Sequence, residues 1–130
     1  MIKEFAVSWK KSKQVRKQRK YRANAPLHIR KDFMNAHLIK DLAKKYGRRS
    51  FPLRKGDTVK VHRGQLKGKE GKVDRVDVKK NRIFVAGIDV TKRDGTKSFP
   101  HINPSNVVIK VLELEDKRRI KQLKKGQREK

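Results

Sequence analysis

The sequence has no cysteine, only 13 acidic residues and no long apolar run. Without cysteine, neither a disulfide bond nor a thiolate metal site can form. No apolar stretch approaches the ~20 residues that a bilayer-spanning helix needs, and the N-terminus lacks the apolar centre of a secretory signal peptide. These absences predict a soluble, cytoplasmic protein that does not act in a membrane.

Apolar residues are also scarce. Only 34% of the 130 residues are hydrophobic, whereas 40% are charged. This length fits one small domain with attached extensions. So polar a chain cannot bury all of itself, and part of it must stay in water or become ordered against a partner.

Positive charge is abundant and unevenly distributed. The formal net charge is +26. Residues 56–116 carry 13 basic and 9 acidic side chains, as an ordinary globular domain would, whereas residues 1–55 carry 18 and 3, and residues 117–130 carry 8 and 1. Each flank by itself is compatible with a solvated or disordered tail. Two basic extensions on one small domain favour binding to a polyanion, because counterion release drives such extensions onto phosphates.

Residues 1–24 show little periodicity and are predicted to form a basic arm. Trp9 and Tyr21 interrupt its lysines and arginines. Such aromatic residues can stack on bases while the cations hold phosphates. They can equally pack on the domain, and the sequence does not decide between these alternatives.

A helical segment and linker are predicted over residues 25–54. Pro26 suits the start of a helix over residues 27–34. Asn35 is a candidate N-cap for a second helix, and Gly47 a natural C-terminal stop. Between them, four apolar residues form a stripe with helical spacing: Ile39, Leu42, Ala43 and Tyr46. Residues 48–52 are predicted to be extended.

From residue 55 the apolar period changes to two, which predicts short strands. The strands are expected at residues 58–62, 72–78, 82–86, 88–93, 96–100 and 106–112. The parity change between Val73 and Val76 indicates a bulge, residues 79–81 a turn, and Asp94-Gly95 a hairpin. This pattern predicts a mainly β protein with a small barrel over residues 55–112.

The tail at residues 113–130 is basic. A helix is expected from Asp116, as its cap, to about Lys125. Ile120 and Leu123 would be its only apolar contacts.

The most informative stretch is a glycine-rich loop between two strands, over residues 55–73. Gly64, Gly68 and Gly71 permit positive φ or a close backbone approach. Cations surround the loop, so it could dock on RNA phosphates. The nucleotide-binding pattern G-x-x-x-x-G-K-[ST] is not met, because Lys69 stands where its second glycine belongs. An inert glycine-rich hairpin is the structural alternative.

No catalytic or metal chemistry is evident. The four histidines are dispersed: His28, His37, His62 and His101. No serine has the context of a nucleophile with a base and an orienting group. We therefore expect neither an enzyme nor a small-molecule substrate, and no cofactor or metal.

The loop resembles the KOW motif. The residues that match are Val59, Val61, Gly64, Lys67, Gly68, Gly71 and Val73. Further residues that flank these matches point to one family: Ala25-Pro26, His28-Ile29-Arg30, Lys45-Tyr46, Arg49-Ser50, Pro52, Arg54-Lys55, Asp57, His101 and residues 103–109. With these, residues 22–115 resemble the L24 family of large-subunit ribosomal proteins, in its archaeal and eukaryotic branch (L26 in eukaryotes).

The resemblance implies an SH3-like barrel that binds large-subunit ribosomal RNA directly near its 5′ domain. It also implies an early role in subunit assembly, a place near the exit of the nascent-chain tunnel, and neighbouring large-subunit proteins there. His28 and His101 are candidate RNA contacts through the resemblance alone. The other candidates are chosen for their loop position or for the planar guanidinium that suits phosphates: Arg16, Arg19, Arg22, Arg30, Arg48, Arg49, Arg54, Arg63, Gly64, Lys67, Gly68, Lys69 and Lys72.

Two other functions compete with this one. A transcription or translation factor could use the same motif, but it would usually carry a second domain. A chromosomal DNA-coating protein is compatible with the charge, although no groove-reading helix is evident.

Overall fold

Six strands form one mixed sheet in which buried and exposed residues alternate. A computed structural model describes residues 5–125. The strands of this sheet are β1 (Asn35–Leu38), β2 (Ser50–Pro52), β3 (Thr58–Val61), β4 (Glu70–Asp77), β5 (Arg82–Val85) and β8 (Val107–Val111). Between β5 and β8 in sequence, β6 (Val90–Thr91) and β7 (Lys97–Ser98) pair with each other in a separate hairpin. The sheet order is β2-β1-β8-β3-β4-β5, and only β1 and β8 are parallel.

The alternation of apolar residues places the core on one face of each strand. Val59 and Val61 of β3 are almost fully buried, whereas Lys60 between them is exposed. Ile83 and Ile109 meet them in the same cluster. Burying each such side chain contributes about 1.5–3 kcal/mol. The mainly β prediction is thus confirmed, and the architecture is consistent with a small SH3-like barrel.

The predicted irregularities of the sheet are confirmed. The pairing of β4 with β5 shifts register between Val73 and Arg75. Asn81 adopts a positive φ of 54° in the turn between these strands. Asp94 and Gly95 lie in the turn that joins β6 to β7, although these strands are shorter than expected.

Gly71 is required by a close approach of two strands. A Cβ at this position would lie 2.3 Å from the carbonyl oxygen of Ala86. The Ala86 amide in turn donates to the Lys72 carbonyl at 2.8 Å. Any side chain here would force β4 away from the end of β5.

The helices are short, and most of them lie before or after the strands in sequence. They are α1 (Val15–Asn24), α2 (Leu27–Arg30), α3 (Lys40–Tyr46) and α4 (Lys117–Lys125), with 3-10 turns at Val7–Lys11, Lys31–Met34 and Pro104–Asn106. Much of the predicted arm is therefore helical. Tyr21 of α1 is buried, and its ring lies 5.0 Å from that of Phe5 and 6.0 Å from that of Phe33. Tyr21 thus packs locally, whereas Trp9 is 39% exposed.

The prediction that Asn35 caps a helix is wrong. Asn35 begins β1, and α3 starts at Lys40 after Ile39. Pairing with two strands and the burial of Ala36 and Leu38 outweigh the local cap. The expected helix end at Gly47 is confirmed, with φ of 63°.

The C-terminal helix is fixed to the barrel by an ion pair that the sequence analysis missed. The Arg119 guanidinium donates to both carboxylate oxygens of Asp57, at 2.7 and 2.6 Å. Arg119 is 2% exposed and Asp57 0%. Phe51 lies beneath the guanidinium at 5.3 Å, and Leu123, one turn further along α4, is buried.

Further hydrogen bonds from the surrounding chain support this buried pair, although the Nε of Arg119 has no partner among the described residues. Asp57 also accepts from the backbone amides of Arg54 and Glu113, both at 2.9 Å. Arg119 also donates to the Glu113 and Pro52 carbonyls, at 2.7 and 3.1 Å. Helix α4 itself begins as predicted, because Asp116 accepts from the Arg118 amide at 2.8 Å.

Candidate nucleic-acid interface

A cleft of about 610 Å³ lies between the N-terminal helices, the β4–β5 turn and the segment before β8. Within the described part of the chain, none of its lining residues carries a carboxylate. We call it the basic cleft, after the cationic and polar side chains that line it with Phe33 and Val78: Arg22, Arg30, Lys79, Lys80, Asn81, Arg82, His101, Asn103 and Asn106.

Arg30 holds the two walls of the basic cleft together. Its Nε donates to the Ala25 carbonyl at 2.7 Å, and a terminal nitrogen donates to the Ala23 carbonyl beside it. The other terminal nitrogen reaches the Lys79 carbonyl at 3.2 Å. One guanidinium thus connects the end of α1 to the turn after β4 at Lys79. The Lys80 amide is held within the turn, where it donates to Asp77 Oδ1 at 3.0 Å.

Arg22 and Asn81 also line the basic cleft, and they differ from Arg30 in their side-chain contacts. Arg22 lies over the Phe33 ring at 5.9 Å, and its guanidinium has no carboxylate partner among residues 5–125. Within the same range, the buried Oδ1 of Asn81 has no hydrogen-bond partner. Because this oxygen has essentially no accessible surface, it belongs to the interior of the β4–β5 turn and is not open to an incoming ligand.

The glycine-rich loop is closed by its own backbone. The Gly68 amide donates to the Val61 carbonyl and the Val61 amide to the Lys69 carbonyl, both at 2.9 Å. Gly64 and Gly68 have φ of 96° and 89°, where side chains are strained. A Cβ on either would meet nothing within 4 Å, so backbone conformation rather than internal packing requires these glycines.

A second and smaller cleft, of about 220 Å³, lies against this loop. We call it the loop cleft. It is lined by Arg63, Gly64, Gln65 and Leu66 on the loop side. Its other wall is the segment Pro100–Asn106, and the Asn106 carbonyl accepts from the His62 and Arg63 amides at 2.8 and 3.3 Å.

The two clefts adjoin. His101, Asn103 and Asn106 line both of them. The shape of this shared wall is set locally, because Asn103 Oδ1 accepts from the Ser105 amide and hydroxyl at 3.1 and 3.0 Å, and Pro104 between them is buried. The loop and the N-terminal helices therefore face one continuous surface.

Away from the two clefts, carboxylates pair with lysines of the sheet and of the β6–β7 hairpin. Hydrogen bonds from Lys110 and Lys60 lower the pKa of Glu70, and Lys97 lowers the pKa of Asp89 in the same way. Among the described residues, no salt bridge engages Arg63, Lys67 or Lys72. Arg63, Lys67 and Lys72 thus stay available to an external anion, whereas the charge of Lys69 helps to lower the pKa of Asp89.

The predicted site residues are only partly brought together. Arg22, Arg30 and His101 line the basic cleft, and Arg63, Gly64 and His101 the loop cleft. Lys67, Gly68, Lys69 and Lys72 lie in or beside the loop without lining either cleft. The remaining candidates are spread over other elements: Arg16 and Arg19 on α1, His28 on α2, Arg48 and Arg49 between α3 and β2, and Arg54 in an ion pair with Asp116. This pair lowers the pKa of Asp116.

Sequence reasoning missed part of the basic cleft. Lys79, Lys80, Asn81 and Arg82 were predicted only as a turn and the start of a strand. The dense basic character of this turn was a usable signal, but its proximity to residues 22–33 depends on tertiary packing.

Two classes of feature are not found in the part of the chain that the structure describes. No helix there is long and apolar enough to cross a membrane. No group of three or more histidine, aspartate or glutamate side chains there is arranged to hold a metal ion.

The sequence is similar to a known protein family and to relatives from archaea. Residues 12–126 match the model of a family described as the eukaryotic L26 and archaeal L24 ribosomal proteins. The chain is 54% identical over 114 residues to the large ribosomal subunit protein uL24 of Methanosarcina barkeri, covering 88% of this chain and 98% of the relative. It is 50% identical over 108 residues to the protein of the same name from Methanosphaera stadtmanae, covering 83% and 92%.

Proposed function

The chain belongs to the family of eukaryotic L26 and archaeal L24 ribosomal proteins, and on that premise we propose that it binds large-subunit ribosomal RNA directly through the adjoining basic and loop clefts. It is a structural constituent of the large ribosomal subunit in the cytoplasmic ribosome, and it is not an enzyme.

One observation carries the RNA-binding proposal. Three residues of the segment before β8, His101, Asn103 and Asn106, line both clefts. This segment therefore joins the glycine-rich loop to the N-terminal helices. The cations of this surface face no lining carboxylate. Because RNA helices are recognised largely through phosphates and shape, a fixed concave cationic surface suits them.

The residues of this surface have three different roles: phosphate contact, loop conformation and positioning. Arg63, Lys67, Lys69 and Lys72 neutralise phosphates near the loop, while Gly64 and Gly68 supply the positive φ on which the loop's shape depends. Arg30 is a positioning residue, because its guanidinium already donates hydrogen bonds to three backbone carbonyls. The other arginine and histidine candidates extend the contact along the RNA, each as a positively charged or polar contact: Arg16, Arg19, Arg22, His28, Arg48, Arg49, Arg54 and His101.

The finer biological placement rests on the family resemblance. We place the contacted RNA near the 5′ domain of the large-subunit RNA and the bound protein near the tunnel exit, beside other large-subunit proteins. Binding acts early in assembly, since a basic protein offsets the mutual repulsion of RNA segments as they come together. In this scheme, residues 1–24 are a basic arm and 25–54 a helical segment and linker, which also contributes β1 and β2 to the sheet. Residues 55–112 are the KOW barrel and 113–130 a basic C-terminal helix or tail.

Competition binding tests the proposal. The full chain is titrated onto large-subunit ribosomal RNA in the presence of small-subunit RNA or duplex DNA. Large-subunit RNA is expected to be retained against both competitors. Equal displacement by duplex DNA would instead favour a DNA-coating protein, and association with RNA polymerase on a gradient would favour a transcription factor.

A triple substitution locates the contact. Lys79, Lys80 and Arg82 changed together to Ala remove three cations from the basic cleft, and affinity for large-subunit RNA should fall. The matched control changes Lys92, Arg93 and Lys97 together to Ala, which removes the same number of exposed cations from the β6–β7 hairpin, outside both clefts. Equal loss in both variants would show that total charge, and not this cleft, governs binding.

A further inference from the structure

A third cleft, separate from the interface described above, opens beside the tryptophan at the N-terminus. It has a volume of about 380 Å³ and lies between the first 3-10 turn and α1. Its lining combines an exposed aromatic ring with cations and small hydroxyl side chains: Ser8, Trp9, Ser12, Lys17, Lys20 and Tyr21. We call it the tryptophan cleft.

The aromatic residues of this cleft have different roles. Tyr21 is 8% exposed and is held between Phe5 and Phe33, so it serves as a wall. Trp9 is 39% exposed and contacts Phe5 edge to face, with ring centroids 6.1 Å apart. Phe5 thus fixes the indole from one direction while a large part of it faces solvent. The indole is therefore oriented but not covered.

The charged residues in the sequence around Trp9 are all basic. Residues 5–31 contain ten lysines and arginines and no aspartate or glutamate. Lys17 and Lys20 lie one turn apart on α1 and both line the cleft. A hydrophobic protein partner would have to bury these ammonium groups, whereas a nucleotide brings its own phosphate to them. Charge and ring together favour a nucleotide as the occupant.

We propose that the tryptophan cleft binds one unpaired nucleotide of the ribosomal RNA, with its base stacked on Trp9 and its flanking phosphates on Lys17 and Lys20. This inference rests on the proposed RNA-binding function and adds a site for single-stranded RNA to the shape-reading surface. Trp9 lies before residue 12, where the match to the family begins. Stacking tolerates any base, so the cleft requires no particular sequence.

Intrinsic fluorescence reads this site directly, because Trp9 is the only tryptophan in the chain. The full chain is titrated with a short single-stranded oligouridylate and with an RNA duplex of the same length. Stacking predicts that the single strand quenches the emission at saturation and the duplex does not. Equal quenching by both, or by neither, overturns the proposal.

Substitution supplies the second readout. Trp9→Ala should weaken binding of the single strand about fivefold to 150-fold, as expected for one stacked base, while Trp9→Phe retains most of the affinity. Val15→Ala, at an exposed position of α1, is the matched control and should change nothing. An affinity in Trp9→Ala equal to that of the wild type also overturns the proposal.

Binding of the wild-type chain to large-subunit RNA tests the proposed function independently of the tryptophan cleft. If the wild-type chain binds that RNA tightly but Trp9 neither quenches nor contributes affinity, only the tryptophan cleft is wrong. If the wild-type chain does not bind that RNA at all, the proposed function fails together with this inference.

Discussion

The two basic flanks look alike in sequence but are used differently in the folded chain. Helix α4 inserts Arg119 beside Asp57, where both side chains are essentially inaccessible, and Leu123 packs into the core. Helix α1 buries only Tyr21 and leaves its cations exposed. Counting charges therefore does not tell which cations are committed to the fold and which remain for a ligand.

The largest expected effect comes from removing the buried counter-charge. Asp57→Asn leaves Arg119 charged and without its ion-pair partner in the interior, which should lower the free energy of unfolding by about 3–5 kcal/mol. Urea denaturation of the full chain measures it. Arg118→Met on the exposed side of α4 is the control and should change stability by under about 0.5 kcal/mol. Similar losses in the two variants would show that α4 is held by general charge.

Arg30 should give the next largest effect, on stability. Arg30→Met removes three charge-assisted bonds to backbone carbonyls, and since the site is partly exposed we expect a loss of about 2–3 kcal/mol. Thermal unfolding is the measurement. Arg22→Met is the matched control in the same cleft, with a loss under about 1 kcal/mol from its contact with Phe33. A larger loss at Arg22 than at Arg30 would contradict the positioning role.

Loop cations should affect RNA binding without affecting stability. When Arg63, Lys67 and Lys72 are changed together to Ala, the slope of log affinity against log salt should become shallower by about 2–3. The free energy of unfolding should stay within about 0.5 kcal/mol of the wild type. The control again changes Lys92, Arg93 and Lys97 together to Ala, so that test and control variants lose the same number of cations. An unfolded or destabilised triple variant would mean that these residues hold the loop itself.

The exposed carboxylates should give the smallest effect. Glu70 and Asp116 have ordinary pKa values of 4.5 and 3.8, and hydrogen bonds from lysines and from Arg54 lower them in the folded chain. A lowered folded pKa means that the ionised forms add stability above the ordinary values. That stability is lost as the pH falls through the folded ones. Carboxyl titration by NMR in Lys110→Ala should show the pKa of Glu70 rising toward 4.5; no change would contradict the pairing.

Local rules predicted most of the barrel. The alternation through Val59 and Val61, the bulge after Val73 and the Asp94-Gly95 turn each depend on a few neighbouring residues, and all are present in the structure. Asn35 shows where such rules fail. Its capping preference is weaker than the strand pairing that buries Ala36 and Leu38, and no local signal shows that a partner strand near the other end of the domain will be there.

The interface was predictable only in part. The glycine-rich loop could be identified from spacing, because backbone conformation restricts those positions to glycine. The basic cleft could not, since it combines residues from three distant segments. The roles of Arg30 and Arg119 were equally hidden, because both look like ordinary exposed arginines until the carbonyls and the carboxylate around them are known.

The central claim is that exposed cations around the joined clefts neutralise phosphates of the large-subunit RNA. Its most direct test is the affinity of the full chain for that RNA across a series of salt concentrations. If ~10 phosphates are neutralised, log affinity should fall against log salt with a slope of roughly −7 to −9. Affinity that does not change with salt would contradict the claim.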